Sequence, residues 1–186
     1  MHRALPTLAS ELQANERTLR RAVSRGTVRC RRRSARRLQL ADGELDYLRA
    51  HWPVLATLSR ALRTESNVRL AVLYGSVARG DDGPDSDVDM LVHLRDDTGR
   101  AALGIADRLE HALDRPVDLA RLSRVRVATP VLLLHALDEG RVLADREGVW
   151  PALHAQRAAV AADATRAGEA AAQAAADALA ELLEDR

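Results

Sequence analysis

Two neighbouring stretches, Leu73-Tyr-Gly-Ser-Val-Ala-Arg-Gly-Asp81 and Ser86-Asp-Val-Asp-Met-Leu-Val92, decide the fold of this chain of 186 residues. The first ends a short apolar run at Gly75-Ser76, and a polar loop follows. The second opens another apolar strand with Asp87 and Asp89. Alternate residues of a strand point to the same face, so we expect these carboxylates to project side by side. Two carboxylates beside a glycine–serine turn predict a site for a hard divalent cation and the phosphates it carries.

Together these stretches resemble the signature of the nucleotidyltransferase superfamily, and within it the minimal nucleotidyltransferases, which are antitoxin partners of HEPN toxins. Gly-Ser, Ala-Arg-Gly and Asp-x-Asp occur in the right order and at close spacing between Gly75 and Asp89. The resemblance covers residues 66 to 150. It implies an α/β (α+β) fold with a small mixed sheet flanked by helices. It also implies Mg²⁺-dependent transfer of a nucleoside monophosphate from a triphosphate to a hydroxyl group, and we expect AMP from ATP.

The resemblance also implies which carboxylates would hold metal. That family has a third carboxylate on a later strand, and the candidate here is Asp118 in Pro116-Val-Asp-Leu-Ala120. Two Mg²⁺ ions, held by Asp87, Asp89 and Asp118, would clamp the attacking and leaving oxygens. Asp118 could also help to deprotonate the acceptor hydroxyl. The alternative for Asp118 is a surface acid on an edge strand.

The nucleotide would be held by the segment before the Asp-x-Asp strand. Glycine lets the backbone approach a phosphate closely, so Gly75 and Ser76 would hold the β- and γ-phosphates. Arg79 could bind a phosphate or the acceptor, because a guanidinium suits bidentate oxyanion binding; the alternative is a helix-surface residue. We expect three acids of the intervening loop to be solvated: Asp81, Asp82 and Asp85.

The charge of the chain is divided between its two halves. Its net charge is +1, but there are 14 arginines and 5 acids up to residue 64, and 14 arginines and 22 acids afterwards. This asymmetry suggests two modules with different partners. The single Cys30 excludes an internal disulfide and fits a reducing cytoplasm. No apolar run approaches the ~20 residues of a membrane span and the N-terminus lacks a signal-peptide core, so we expect a cytoplasmic protein.

The front module, residues 1 to 64, resembles a bacterial helix-turn-helix domain. Residues 5 to 25 predict two short helices: Thr7 would cap the first, Asn15 would cap the second, and Gly26 would end it. The second would be the recognition helix, whose outer faces could meet base edges and phosphates. The candidate DNA-binding residues on it are Arg17, Thr18, Arg20 and Arg21.

A basic segment follows the two helices. Residues 27 to 40 predict a two-stranded wing whose basic tip includes three further candidate DNA-binding residues, Arg31, Arg32 and Arg33. Phosphate contacts dominate nucleic-acid affinity and need such charge. The alternatives are a solvated basic surface and a face that docks on the acidic rear half. Asp42 would then cap a helical segment, interrupted near Pro53, that serves as core and linker.

The rest of the chain alternates helices and strands. Residues 65 to 150 form the predicted nucleotidyltransferase domain, with a helix over 98–113, the Asp118 strand, a helix from Pro130 that Gly140 ends, and a short strand at Val142. The tail, residues 151 to 186, is Ala-rich and helical by propensity. Its weak apolar seam could pair with a partner or with a second copy, or have no partner at all.

Three functions remain open at this point. The resemblance favours an antitoxin that binds a HEPN-type toxin, modifies it with AMP, or both, and whose head binds the promoter of its own operon. A homodimer is a further possibility, since helix-turn-helix proteins often read two half-sites. The second function is a small-molecule nucleotidyltransferase of the kind that modifies aminoglycosides, although the rear is short for such a substrate domain. The third is a transcriptional regulator that senses nucleotide without catalysis, which the intact Asp-x-Asp argues against.

Overall fold

The structure, a computed structural model, describes residues 2–32 and 37–184, and the arginine-rich wing tip with Arg33 lies outside them. The front of the chain folds into two helices and a small antiparallel sheet of order β1-β3-β2. Its elements are β1 (His2–Ala4), α1 (Leu5–Glu11), α2 (Glu16–Arg25), β2 (Cys30–Arg32) and β3 (Arg37–Leu40). The predicted wing strands are therefore present as β2 and β3, and β1 is a third strand that the sequence did not indicate.

The caps of the first two helices show which local signals decide their ends. The Asn15 side chain accepts a hydrogen bond from the Arg17 amide, and Gly26 ends α2 at a φ of 89°, as predicted. The prediction that Thr7 caps α1 is wrong, because that helix already begins at Leu5. Pro6 lies in its first turn, where the fixed φ of proline favours a helix and its missing amide hydrogen costs nothing.

The rest of the chain forms a four-stranded sheet of order β6-β5-β4-β7 with helices on both faces. The β5–β6 pair is parallel, and β4 is antiparallel to both of its neighbours, so the sheet is mixed as predicted. The elements before residue 95 are α3 (Glu44–Thr64), β4 (Val68–Leu73), α4 (Gly75–Arg79) and β5 (Val88–Leu94). The later ones are α5 (Gly99–Leu113), β6 (Val117–Arg121), α6 (Leu122–Ala128), α7 (Pro130–Glu139), β7 (Arg141–Asp145), α8 (Val149–Ala155) and α9 (Arg157–Glu184).

Helix α3 differs from its prediction in two ways. It runs without interruption through Pro53, and it begins after Gly43 with no side-chain cap, so Asp42 does not cap it. Proline removes one backbone hydrogen bond from a helix interior. Burial of large side chains on both sides of Pro53, among them Trp52 and Leu55, holds the helix together despite this loss. Tertiary packing therefore overrides the local break signal.

The two faces of the sheet are covered by different helices. Helices α3 and α5 pack on one face, and α6, α7 and α8 pack on the other. The short helix α6 was not predicted, α8 lies where the helical tail was expected to begin, and α4 replaces the start of the expected polar loop. The apolar residues of the front module join those of the α3 face in one continuous buried cluster, which includes Leu8, Leu19, Leu58 and Met90. Helix α3 ends at the boundary predicted near residue 64, and it thus packs on the sheet that follows that boundary.

The front module also covers the edge strand β7. Arg25 donates from Nη1 to the Leu143 carbonyl at 3.0 Å, and the Thr27 hydroxyl donates to the Val142 carbonyl. Arg29 donates to the carbonyl of Glu139, just before the strand. An uncovered edge strand offers unpaired backbone groups to other chains. The segment after α2 satisfies these groups and closes this side of the sheet.

Helix α9 packs on α7. Among its described side chains, Val160 and Ala164 are the buried ones, and they lie in its first half. The chain leads into it through α8, and Arg157 pairs with Asp138 of α7. In the described part of the chain, no helix combines the length and the apolar character that crossing a bilayer requires.

Candidate active site

The glycine that follows β4 is packed directly against a carboxylate. The Tyr74 amide donates to the Asp89 carbonyl at 3.0 Å, which holds the end of β4 beside β5. Gly75 adopts a φ of 72°, and a Cβ at this position would lie 2.1 Å from Oδ2 of Asp89. Only glycine combines this backbone conformation with so close an approach. The glycine of the motif therefore lets the Asp89 carboxylate and the backbone of α4 share one small space.

The three aspartates of the motif lie at the same end of the sheet. Asp89 lies in β5 directly opposite Asp118 of the parallel strand β6, and neighbouring strands are about 4.8 Å apart. Asp87 precedes Asp89 by two residues and so points to the same side. Asp87 and Asp118 are exposed, and Asp89 is partly buried. The topology thus brings together the carboxylates that the sequence predicted as a group.

Several carboxylates lie close together at this end of the sheet. Partial burial raises the pKa of Asp89, and the nearby carboxylates of Asp118 and Asp87 raise it further, against an opposing effect of Arg79. Burial also raises the pKa of Tyr74 well above its usual range, and Asp89 and Asp118 add to that shift. Each carboxylate makes ionisation of its neighbours more costly, so a bound cation would stabilise the group.

The donor set of this group suits a hard divalent cation, because Mg²⁺ prefers carboxylate oxygens. In the arrangement seen, the described residues contain no group of three or more His, Cys, Asp or Glu side chains that could hold a metal ion. The side chain of Asp118 is exposed, and exposed side chains change rotamer readily. The chemistry of these carboxylates therefore fits Mg²⁺, but in the rotamers seen the carboxylates do not converge on a single ion position.

A fourth carboxylate, which the sequence analysis missed, occupies the predicted nucleotide-binding segment. Oε1 of Glu139, at the end of α7, accepts a hydrogen bond from the Gly75 amide at 2.8 Å. The same carboxylate accepts from Nη1 of Arg79 at 3.0 and 2.9 Å. The groups predicted to bind phosphate oxygens thus bind an internal carboxylate. No local signal reveals this contact, since Glu139 lies 64 residues from Gly75 and ends an apolar helix.

Comparison with known proteins agrees with this geometry. The family described as "Polymerase beta, Nucleotidyltransferase" matches residues 56–148, half of the chain. The chain belongs to this nucleotidyltransferase family. The matched segment contains β4 to β7 and all three aspartates. A search of curated proteins found no match.

Three solved structures of similar fold contain toxin–antitoxin proteins. A crystal structure of a toxin–antitoxin with AMP-PNP matches with a TM-score of 0.52 and 24% identity, over 67% of this chain and 97% of that chain. A mutant of the toxin–antitoxin MntA-HpeT matches with a TM-score of 0.50 and 25% identity, over 67% and 95%. A tri-AMPylated Shewanella oneidensis HEPN toxin in complex with MNT antitoxin gives 0.49 and 23%, over 69% and 98%. The first two matches support the nucleotidyltransferase fold of this chain.

The loop between α4 and β5 of the nucleotidyltransferase is tied to α3. Asp82, expected to be a solvated acid, is 10% exposed and accepts hydrogen bonds from His51 at 2.7 Å and from Arg115 at 3.0 Å. Asp81 and Asp85 are exposed, as predicted. Burial acts to raise the pKa of Asp82, but the hydrogen bonds from His51 and Arg115 outweigh it and lower that pKa below its usual range. This anchored loop leads directly into Asp87.

The candidate DNA-binding residues lie outside the nucleotidyltransferase sheet, on the front module. All four candidates on α2 are exposed: Arg17, Thr18, Arg20 and Arg21. Arg20 pairs with Glu16 along the helix. On β2, Arg31 is exposed, whereas the side chain of Arg32 and the whole of Arg33 lie outside the described residues. The described part of this surface is basic, and DNA binding by it stays a prediction.

Proposed function

We propose that this nucleotidyltransferase transfers AMP from ATP to a hydroxyl group of a HEPN-type toxin and acts as its antitoxin. The observation that carries the proposal is the in-register pair of Asp89 and Asp118, with the Gly75 backbone packed against Asp89. This arrangement places metal-binding carboxylates beside a backbone segment that a phosphate could approach. Nucleotidyl transfer needs both at one place.

We propose that two Mg²⁺ ions bind here, held by Asp87, Asp89 and Asp118. Bound Mg²⁺ would offset the negative charge of the phosphates and of the carboxylates themselves. In the transfer, the acceptor oxygen forms a bond to the α-phosphorus of ATP while the bond to the leaving pyrophosphate breaks. Asp118, exposed at the rim of the group, would accept the proton of the acceptor hydroxyl.

The phosphates of ATP would bind at Gly75, Ser76 and Arg79. Glu139 now holds the Gly75 amide and the Arg79 guanidinium, and its charge would repel a phosphate. Nucleotide binding therefore requires Glu139 to move away from these two groups. The 20% exposure of its side chain and the exposure of Arg79 leave room for such a displacement.

The proposed partner is inferred from the fold that this chain shares with solved structures. Two of the matching structures are a toxin–antitoxin with AMP-PNP and a mutant of MntA-HpeT, and the shared fold extends over 67% of this chain. We infer a HEPN-type toxin as the acceptor for this chain as well. An antitoxin can also neutralise its toxin by binding alone, and the labelling experiment distinguishes binding from catalysis.

The test is nucleotidyl transfer to a HEPN-type protein encoded beside this one. The protein, Mg²⁺, α-labelled ATP and that acceptor are incubated together, with an Asp87→Asn/Asp89→Asn double variant as control. We expect label on the acceptor, reduced at least about 100-fold in the variant because the metal-binding charge is lost. A stable complex without label would show an antitoxin that acts by binding. Neither label nor complex would refute the proposed function.

We also propose that the front module binds the promoter of its own operon. Its support is the exposed basic face of α2 with Arg17 and Arg20, and the basic strand β2 with Arg31. Phosphate contacts of this kind give affinity that falls with salt. Gel-shift titration of the upstream DNA with the protein and with an Arg17→Gln/Arg31→Gln variant tests it. Equal affinity of the two proteins at several salt concentrations would contradict it.

A further inference from the structure

An arginine-lined cleft lies between α2 and α3. Its volume is about 130 Å³, and its floor includes Trp52 and Leu55. A second cleft of about 280 Å³ adjoins it along β7, and Arg25 and Arg63 line both. We refer to the two together as the arginine cleft.

Five arginines surround the arginine cleft: Arg21, Arg25, Arg60, Arg63 and Arg146. Two of them come from α2, where Thr18, Arg21 and Arg25 follow the spacing of one helix face. Two come from the last turns of α3, and Arg146 directly follows β7. Three separate parts of the chain thus direct cations to one place. Thr18 and Arg21 are also candidate DNA-binding residues, whereas Arg25, Arg60, Arg63 and Arg146 are not.

These cations have no acidic partners among the described residues. None of the five arginines has a carboxylate within 4.0 Å in the described part of the chain, whereas Arg79, Arg108 and Arg115 each pair with an acid. The side-chain hydrogen bond of Arg25 goes to the neutral carbonyl of Leu143, and those of Arg146 go to the neutral carbonyls of Leu62 and Arg63. The positive charge of the cleft is therefore not neutralised from within the described structure.

The pKa of Arg25 reflects both its burial and the repulsion between these arginines. Burial lowers the pKa of Arg25, and the nearby charges of Arg21, Arg63 and Arg146 lower it further. Like charges at close range destabilise the folded protein, and an anion bound between them would relieve that repulsion. A multiply charged anion would therefore relieve more of the repulsion in the cleft than a singly charged anion.

The arginine cleft is separate from the candidate active site. In the β4–β7 pair, Leu73 at the Gly75 end lies opposite Arg141, and Leu70 lies opposite Asp145. Arg146 follows Asp145 and so lies towards the other end of β4 from Gly75. A ligand of this cleft is therefore distinct from the triphosphate proposed at the aspartates.

Guanidinium groups pair with phosphate oxygens in bidentate geometry, and the hydroxyls of Thr18 and Ser59 add donors at the same place. We propose that the arginine cleft binds closely spaced phosphate groups as a second anion site of this protein. A free oligophosphate, such as the tail of a nucleotide, and the backbone of a nucleic acid both present this chemistry. The site goes beyond AMP transfer, and its test does not depend on that activity.

The test uses Trp52 as a local reporter. The chain has two tryptophans, so a Trp150→Phe background leaves Trp52, on the cleft floor, as the only one. Inorganic tripolyphosphate is titrated without divalent cation while the Trp52 fluorescence is followed. An Arg60→Gln/Arg63→Gln variant removes two exposed cations of the cleft. An Arg100→Gln/Arg124→Gln variant removes two exposed cations elsewhere and is the matched control.

We expect saturable binding, weakened about tenfold or more by the cleft variant and within about twofold of normal in the control. An Arg79→Gln variant, altered in the candidate active site, should bind tripolyphosphate at the cleft as the parent does. Competition by a short DNA duplex, with affinity that falls with salt, would identify the nucleic-acid backbone as the source. Saturation without such competition would identify a free oligophosphate. No response of Trp52, or equal effects of the two double variants, would overturn the proposal.

Discussion

Glu139 is the single residue with the most direct influence on the candidate site. Its carboxylate holds the Gly75 amide and the Arg79 guanidinium, both proposed to bind ATP. We expect Glu139→Gln to lower the KM for ATP by up to about tenfold, because a competing charge-assisted hydrogen bond is weakened. Steady-state kinetics with varied ATP measures this, and kcat should change less than KM. Asp81→Asn is the matched control: Asp81 also pairs with Arg79 but leaves the Gly75 amide occupied. A higher KM in Glu139→Gln would show that Glu139 supports the segment instead.

Asp82 makes the stability of the loop before Asp87 depend on pH. Its pKa is lowered in the folded protein, because the hydrogen bonds from His51 and Arg115 outweigh the opposing effect of burial. A lowered folded pKa gives stability that is present above the unfolded pKa and is lost as pH falls through the folded one. We expect Asp82→Asn to destabilise by about 1–3 kcal/mol at pH 7 and by progressively less below about pH 4. Urea unfolding across that range measures the difference, with the exposed Asp81→Asn as control. A difference that is constant with pH would contradict this account.

A buried ion pair, that of Arg141 and Glu44, connects several elements of the fold. Arg141 is 1% exposed and donates to both Glu44 oxygens, at 2.7 and 3.0 Å. It also donates to the carbonyls of Ala78 and Thr27 and lies 3.4 Å from the centre of the Tyr47 ring. One guanidinium thus joins β7, α3, α4 and the segment after α2.

Removing that guanidinium should leave the Glu44 carboxylate buried without its partner. We expect Arg141→Met to cost about 3–5 kcal/mol of unfolding free energy, and Arg141→Met/Glu44→Leu to cost much less. Chemical denaturation of both variants measures the two values. If the double variant were as unstable as the single one, the carbonyl contacts and not the ion pair would be the main contribution of Arg141.

The elements that could be predicted from the sequence are those with a local cause. The alternation around Asp89 predicted β5, Asn15 and Gly26 predicted the ends of α2, and the fold of the sheet followed from the motif. The continuous α3 could not be predicted, because the burial that overrides Pro53 depends on the sheet against which α3 packs. The same holds for Glu139 and for the Glu44–Arg141 pair, which is separated by 97 residues. Contacts of this kind have no periodicity or spacing that a sequence pattern could show.

At the scale of the whole molecule, the front module and the nucleotidyltransferase sheet form one packed unit. The apolar residues of the front module and of the α3 face of the sheet belong to one buried cluster, and the segment 25–29 satisfies carbonyls along and just before the edge strand β7. Deleting residues 1–43 would therefore expose both the apolar surface of α3 and the edge of the sheet, which favours association between chains. We expect the shortened protein to aggregate or to unfold at much lower temperature than the full chain, and the full chain to unfold in one cooperative transition. Calorimetry and size-exclusion chromatography of the two proteins measure this. A monomeric shortened protein with the melting temperature of the parent would instead show two independent domains, and would make the basic front module separable from the nucleotidyltransferase sheet.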